Sequence, residues 1–320
     1  KATAPSSAEA TRPDYSETNI QVQGVDEADI VKTDGNYIYM LSNDNLVIAR
    51  AYPEEKAEIL SQTNLGRFTP NELFIDNNKL LVFGNSYYEY DYTTERNKIA
   101  PRTVSATTIK LFDISNKENP ELEREIDFEG TYLTSRKIDE WVYFVINSYP
   151  RYTTEEEPIE LIPKYRDSLT TEDFTSTVRC TDVKHFDPIT TNNFITVSAI
   201  NINNPTATIE KEVILGSGQN VYVSLENLYI AQEDYNYYNE FTTNKNQPRE
   251  KTIIHKFSLD NGEINYQGNG IAPGRILNQF SMDEHNSYFR IATTIGHVSR
   301  TFEDSSTNNI FIFDNNLNLV

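Results

Sequence analysis

At 320 residues the chain is long enough for two ordinary domains or for one large all-β assembly. Its 48 acidic against 28 basic residues give a formal net charge of −20, which repels nucleic acid and anionic membrane surfaces and disfavours both as partners. No apolar run reaches the roughly 18 residues of a membrane-spanning helix, and a single cysteine excludes an internal disulfide and a cysteine-based zinc centre.

Residues 1–18 are rich in Ala, Ser, Thr and Pro and show no hydrophobic period, so they read as a flexible tether ahead of a folded domain over 19–320. No basic start followed by an apolar stretch marks a signal peptide. The sequence is therefore expected to be a mature or trimmed product, reaching a membrane only through an N-terminal anchor that it does not itself contain.

The first chemistry-bearing feature is acidic: Asp26, Glu27, Asp29 and Asp34 fall within nine positions. Four carboxylates supply hard oxygen ligands of the kind Ca²⁺ takes, but without the spacing and glycine of a helix-loop-helix calcium site. The alternative reading is structural, in which they bond backbone groups at the entry to the first sheet and Asp34-Gly35 forms a hairpin turn.

Helical periodicity is nearly absent, and short alternating runs of Ile, Val, Tyr, Phe and Thr recur along the chain, separated by Asn, Asp and Gly turns. A hairpin recurs at Thr33–Tyr39, Ile75–Phe83, Ile138–Phe144, Leu225–Ile230 and Met282–Phe289. Its turn residues suit φ > 0 or side-chain-capped conformations. A third strand follows each at Leu46–Tyr52, Thr108–Ile114, Phe194–Ile200, Thr252–Leu259 and Asn309–Asp314, then a polar turn and an outer strand such as Leu122–Ile126. Four strands per unit, repeated about five times, predict a β-propeller of four-stranded antiparallel blades rather than a sandwich, because stacking around an axis covers both apolar faces of each sheet. Five units leave unmatched faces, so residues or a chain beyond Val320 are expected to complete the ring.

Long insertions separate the second and third strands at about 85–106, 148–193, 233–251 and 294–308, and topology sends all of them to one face. They are rich in tyrosine and acid: Tyr87, Tyr88, Tyr90 and Tyr92, then Tyr149 and Tyr152 with Glu155–Glu157, then Tyr235, Tyr237 and Tyr238. Tyrosine gives large, rigid, amphipathic contacts, as binding loops on rigid scaffolds require. The same residues would equally pack into satellite clusters of their own. Cys180, within the second insertion, reads as a buried thiol.

His185, His255, His285 and His297 lack metal-ligand spacing, and His255 falls in a strand where a structural role is expected. Gly216-Ser-Gly218 precedes no helix and is no phosphate loop, and no nucleophile elbow or dinucleotide fingerprint is present.

The run Thr18–Tyr39, TNIQVQGVDEADIVKTDGNYIY, resembles the opening of a β-propeller domain family of secreted archaeal and bacterial proteins distantly related to WD-40 repeats. Cys180-Thr-Asp-Val183, Pro273–Glu284 and Ile291-Ala-Thr-Thr294 carry the same resemblance, which extends from about Thr18 to the end. It implies an extracellular or cell-envelope setting, often with an N-terminal anchor, several further blades, and no assigned reaction or catalytic residue. The expected function is a binding or assembly module without cofactor, or with Ca²⁺, whose tyrosine- and acid-rich face takes an envelope protein or polysaccharide. The alternatives are a polysaccharide hydrolase or lyase using paired carboxylates, and a structural component of a surface layer.

Overall fold

The central strands of this chain are apolar on both sides, and that pattern dictates its architecture. In the computed structural model, which describes residues 20–93, 99–149, 161–186, 189, 191–235, 250–296 and 306–320, such strands lie inside antiparallel sheets stacked face to face. After β1 (Asp26–Glu27), the first blade comprises β2 (Val31–Thr33), β3 (Tyr37–Ser42), β4 (Asn45–Arg50) and β5 (Glu58–Asn64) in that order. The second contains β6 (Thr69–Asp76), β7 (Lys79–Thr93), β8 (Ile99–Asp113) and β9 (Glu121–Glu129). The third opens with β10 (Thr131–Ile138) and β11 (Trp141–Ser148), is interrupted by β12 (Lys164–Asp167) and β13 (Thr171–Ser176), and resumes with β14 (Phe194–Asn201) and β15 (Glu210–Leu215). Blade four is β16 (Asn220–Val223), β17 (Asn227–Tyr235), β18 (Glu250–Asp260) and β19 (Glu263–Pro273). Blade five is built from β20 (Arg275–Ile276), β21 (Met282–His285), β22 (Tyr288–Ile295) and β23 (Thr307–Phe313).

The hairpin turns form as their residues require. Asn77, Asp139, Asn261, Asn286 and Ser287 all adopt positive φ, a conformation that Asn and Asp tolerate and β-branched residues do not. Gly262, at φ +90°, is a glycine for a second reason: a Cβ there would stand 2.5 Å from the Trp141 ring of the neighbouring blade.

Successive residues of each second strand are shared between neighbouring blades. On β7, Leu80 and Val82 join the core with blade one while Leu81 and Phe83 join the core with blade three. On β11, Val142, Phe144 and Ile146 face blade two, and Tyr143 and Val145 face blade four. On β17, Leu228 and Ile230 face blade three, and Tyr229 and Ala231 face blade five. Four cores therefore join five blades. Each fully buried Leu, Ile or Phe contributes about 2 kcal/mol of transfer free energy, and a one-residue register slip would exchange the two sets.

Two departures from plain blades hold the stack together. The first is the insertion in blade three, expected to lie on the loop face. Instead its β12 pairs with β9 of blade two, setting Tyr165, Arg166 and Asp167 opposite Phe128, Asp127 and Ile126, and β13 adds a sixth strand to that sheet. The chain then returns across blade three, where Lys184 bridges β15 at Ile214 and Val178 and Val183 pack on Ile162, Phe194 and Val213. This clasp covers the outer edges of two sheets, which would otherwise offer unpaired backbone groups. The second departure is the N-terminal strap over residues 20–29, whose β1 pairs with the inner edge of β10 and whose Asp29 bridges Leu73 at the inner edge of β6.

The clasp is fixed by buried charge. Arg124 of β9 meets Asp167 bidentately at 3.0 and 2.6 Å, and its remaining terminal nitrogen donates to the carbonyls of Pro205 and Ala207 in blade three. Both side chains are almost fully buried. Removing one partner strands the other charge, which costs about 3–5 kcal/mol, whereas apolar replacement of both is far milder. Asp167→Ala should therefore lower the unfolding free energy by about 3 kcal/mol, and the double variant Arg124→Met, Asp167→Leu should recover most of that loss, as read from denaturant unfolding midpoints.

Candidate functional site

The strap gathers polar groups along the inner edges of the blades. Gln21 donates from Nε2 to the carbonyls of Gln279 and Met282 in blade five, 3.2 Å each. Val22 packs at the junctions of blades three with four and four with five, Val25 is buried in the former, and Ala28 packs at the junction of blades two and three. Lys32, buried at the start of blade one, donates to Asp26 Oδ1 at 2.7 Å and to the Glu27 carbonyl. One short peptide thus touches all five blades.

Beside the strap lies a cluster around Arg136 of β10. The guanidinium stands 3.6 Å from Glu27 Oε1 and donates to Gln279 Oε1 at 3.2 Å and to Thr134 Oγ1 at 2.7 Å. Glu72 of β6 accepts from the Tyr132 hydroxyl, which lies 2.6 Å from Ser135 Oγ. Burial pushes the Glu72 carboxyl up, against the pull of Tyr132 and Arg136, and nearby Asp29 adds to the rise. Burial, with the Glu72 carboxyl facing it, pushes the Tyr132 phenol well above its ordinary value. Sequence alone does not single out Glu72 and Arg136, since they sit 64 residues apart and only blade stacking brings them together.

The four acidic residues separate. Asp26 pairs with Lys32 and Glu27 with Arg136, while Asp29 Oδ1 accepts from the Ile30 amide at 2.7 Å. Asp34 caps its turn, accepting from the amides of Asn36 and Tyr37 and from the Tyr39 hydroxyl at 2.8–2.9 Å. Among the described residues no three of His, Cys, Asp and Glu are grouped to share an ion.

The tyrosines are positioned by strands more than by loops. The expected loop at 85–106 is largely a ribbon: β7 and β8 stay paired from Tyr87–Ser105 to Thr93–Ile99, past the ends of β6 and β9. Seven residue pairs at about 3.3 Å per residue carry the ribbon about 20 Å beyond its blade. Tyr87 is exposed on it (71%). Tyr88 turns instead onto the clasp, its ring 4.8 Å from Phe174 and its hydroxyl accepting from Arg166 at 3.1 Å, and burial beside Asp127 pushes its phenol up to about 12. Tyr90, Tyr92 and Tyr235 occupy strand positions opposite Arg102, Ala100 and Glu250. Tyr149 is exposed (62%) where β11 ends. Tyr152, Tyr237 and Tyr238 lie outside the described residues, as do residues 1–19 and His297.

Cys180 is a correction: it is exposed, not buried, because the clasp places it on a 3₁₀ turn, Cys180–Asp182, on the outer surface. Two polar clefts lie on the described surface. One, of about 590 Å³, lies over Arg124, Arg166 and Asp173, and the other, of about 490 Å³, lies between blades four and five over Lys256, Gln267 and Asn315. Their cations are engaged, Arg166 by Asp127 and Lys256 by the Asn315 carbonyl and side chain.

His255 is structural, as its strand position suggests. Fully buried on β18, it meets the Tyr266 hydroxyl at Nδ1 (3.2 Å) and the Phe186 ring of the clasp at 4.8 Å, while Nε2 has no partner among the described residues. Burial lowers its pKa to about 4. The unfolded chain, with an imidazole pKa of about 6.5, takes up a proton first as pH falls, so stability is lost between about pH 6.5 and 4, by about 3 kcal/mol in all. His255→Phe should flatten that portion of the stability curve, measured as unfolding free energy at about pH 7 and about pH 4.

Comparison with known proteins places this geometry in a family. A sequence model described as the beta propeller domain matches residues 15–320. An uncharacterised protein of Methanocaldococcus jannaschii is 25% identical over 374 residues, covering 97% of this chain and 54% of its own length. An uncharacterised protein of Archaeoglobus fulgidus is 26% identical over 388 residues, covering 96% and 55%. The chain thus spans about half the length of these curated relatives. A chain from a Saccharomyces cerevisiae complex of Dbp5, Nup159 and Gle1 aligns over 93% of this chain and 59% of its own, at 9% identity and a TM-score of 0.38. Stacked four-stranded blades and a family match across nearly the whole sequence agree: the chain belongs to the β-propeller domain family.

Proposed function

We propose that this propeller is a binding or assembly module of a secreted or envelope-anchored protein, and that its tyrosine- and acid-rich rim engages an envelope protein or a polysaccharide. The observation that carries the reading is the β7–β8 ribbon, which extends past both neighbouring strands and holds Tyr87 in solvent. Among the described residues none of the ribbon beyond the ends of β6 and β9 joins an inter-blade core, and an exposed aromatic on a scaffold strand is the usual anchor of a binding surface. Tyr149, at the end of the corresponding strand of the next blade, leaves from the same rim. The net charge of −20 directs the module toward neutral or cationic partners.

The variant Tyr87→Ala, Tyr149→Ala should lose most capture of its partner from envelope extract while keeping the wild-type melting temperature. Tyr88→Ala should lower that temperature, because Tyr88 packs on the clasp. Undiminished capture by the double variant would remove the rim from the reading.

A second reading, cleavage of an extracellular polymer, is favoured by one observation: the raised carboxyl of Glu72 shares the inner edge with Glu27 and Asp29. A carboxyl whose hold on its proton is strengthened by burial, set near other carboxyls, is an arrangement general-acid hydrolysis uses. On this reading the protein should release reducing ends from envelope polysaccharide and Glu72→Gln should abolish the release; absence of any release by the wild type would eliminate it.

A further inference from the structure

Four cationic side chains are buried among the described residues, and three of them face a carboxylate: Lys32 meets Asp26, Arg124 meets Asp167 and Arg136 meets Glu27. Lys256 of β18 is the fourth. Its Nζ lies 2.6 Å from Oδ1 of Asn315 and 2.9 Å from the Asn315 carbonyl, and it forms no ion pair among the described residues. An ammonium held this deep by neutral oxygens is poorly compensated. Burial lowers its pKa, against the opposing pull of Glu284, Asp314 and Glu226.

The asparagine is held firmly at that point. Asn315 sits in the turn after β23, where Asp314 accepts from the amides of Asn316 and Asn318 and from the Asn318 side chain. Leu317 of the same turn is buried in the core between blades four and five. Beneath the pair, Nζ stands 5.8 Å from the centre of the buried Tyr229 ring, which stacks on Phe289. A 2.6 Å contact with Oδ1 puts Cγ about 3–4 Å from Nζ, close to the distance at which positioning replaces collision in an attack on a carbonyl.

From this placement we propose that Lys256 and Asn315 join in an intramolecular isopeptide bond, a covalent modification that ties blade four to blade five. The neutral amine of Lys256 attacks Cγ of Asn315. The Nζ–Cγ bond forms, the Cγ–Nδ2 bond breaks, and the proton given up by Nζ passes to Nδ2, which leaves as ammonia. Counted from the charged side chain, an ammonium and a primary amide become a secondary amide and ammonium, so neither oxidant nor cofactor is consumed. The cleft of about 490 Å³ that Lys256 and Asn315 line gives the ammonia a way out. The single cysteine allows no disulfide within this chain. The amide bond would link positions 59 residues apart and limit how far the two blades can separate on unfolding.

The test is mass spectrometry of the intact protein and of its tryptic peptides, for the wild type, Asn315→Ala and Lys256→Arg. The wild type should weigh one ammonia less than its sequence. Its digest should contain a branched peptide carrying both Lys256 and Asn315, because trypsin does not cut after an acylated lysine. Both variants should have the full mass of their sequences and no branched peptide. Asn315→Ala alters an exposed turn residue and should fold even where Lys256→Arg does not. A wild-type mass equal to the sequence sum would overturn the inference. Loss of ammonia confined to a single linear peptide would overturn it too, marking a succinimide at an asparagine instead of a cross-link.

Discussion

A sheet that is apolar on both faces has to be covered on both, and the rest of this molecule follows from that requirement. The strand runs Leu80–Phe83 and Val142–Ile146 are buried without interruption, so neither is stable in a sheet with one wet side. Face-to-face stacking meets the requirement by letting alternate residues of one strand serve two different cores. Leu80 and Leu81 are neighbours in sequence and belong to different interfaces. Each blade is therefore both a unit of structure and half of two contacts, and its stability depends on its neighbours.

Stacking alone leaves the strand edges unpaired, and the chain deals with these by polar means. At the inner edges, the strap supplies backbone partners to β10 and β6, and its side chains reach blades five and one. At the outer edges the clasp adds β12 to β9, and Arg124 ties blade two, the clasp and blade three through one guanidinium. Charges buried in this way discriminate strongly between the correct and any shifted arrangement, because a displaced partner leaves a desolvated ion behind. Apolar faces thus drive the association of blades, while the strap and clasp fix which edges meet.

Beyond the ends of the packed strands the side chains are not needed for the inter-blade cores, and there exposed aromatics stand in solvent. The β7–β8 ribbon extends beyond its neighbours and Tyr149 stands exposed at the end of β11. Tyr88 is the informative exception: one position from an exposed tyrosine, it belongs to the clasp because successive strand side chains point to opposite faces. The inner-edge cluster combines burial and charge around Glu72 and Arg136, and burial there raises the Glu72 carboxyl.

Local order was legible in the sequence because it depends on neighbours in the chain. Period-two runs, Asn and Asp at turns of positive φ, and the repeat of four strands predicted all-β blades, and the strands and turns fall where those signals lie. The structural role of His255 followed from its place in an apolar run. What tertiary structure alone decided is where the insertions go and which distant polar groups meet. The segment 148–193 carries no sign that it pairs with the preceding blade and leaves Cys180 in solvent, since pairing with β9 depends on an edge that exists only once the sheets have stacked. The meeting of Glu72 with Tyr132 and Arg136, and of Arg124 with Asp167, has the same origin. Strand periodicity is set by steric alternation along one chain, whereas these contacts are set by the separation of two sheets, a distance that no local pattern of residues encodes.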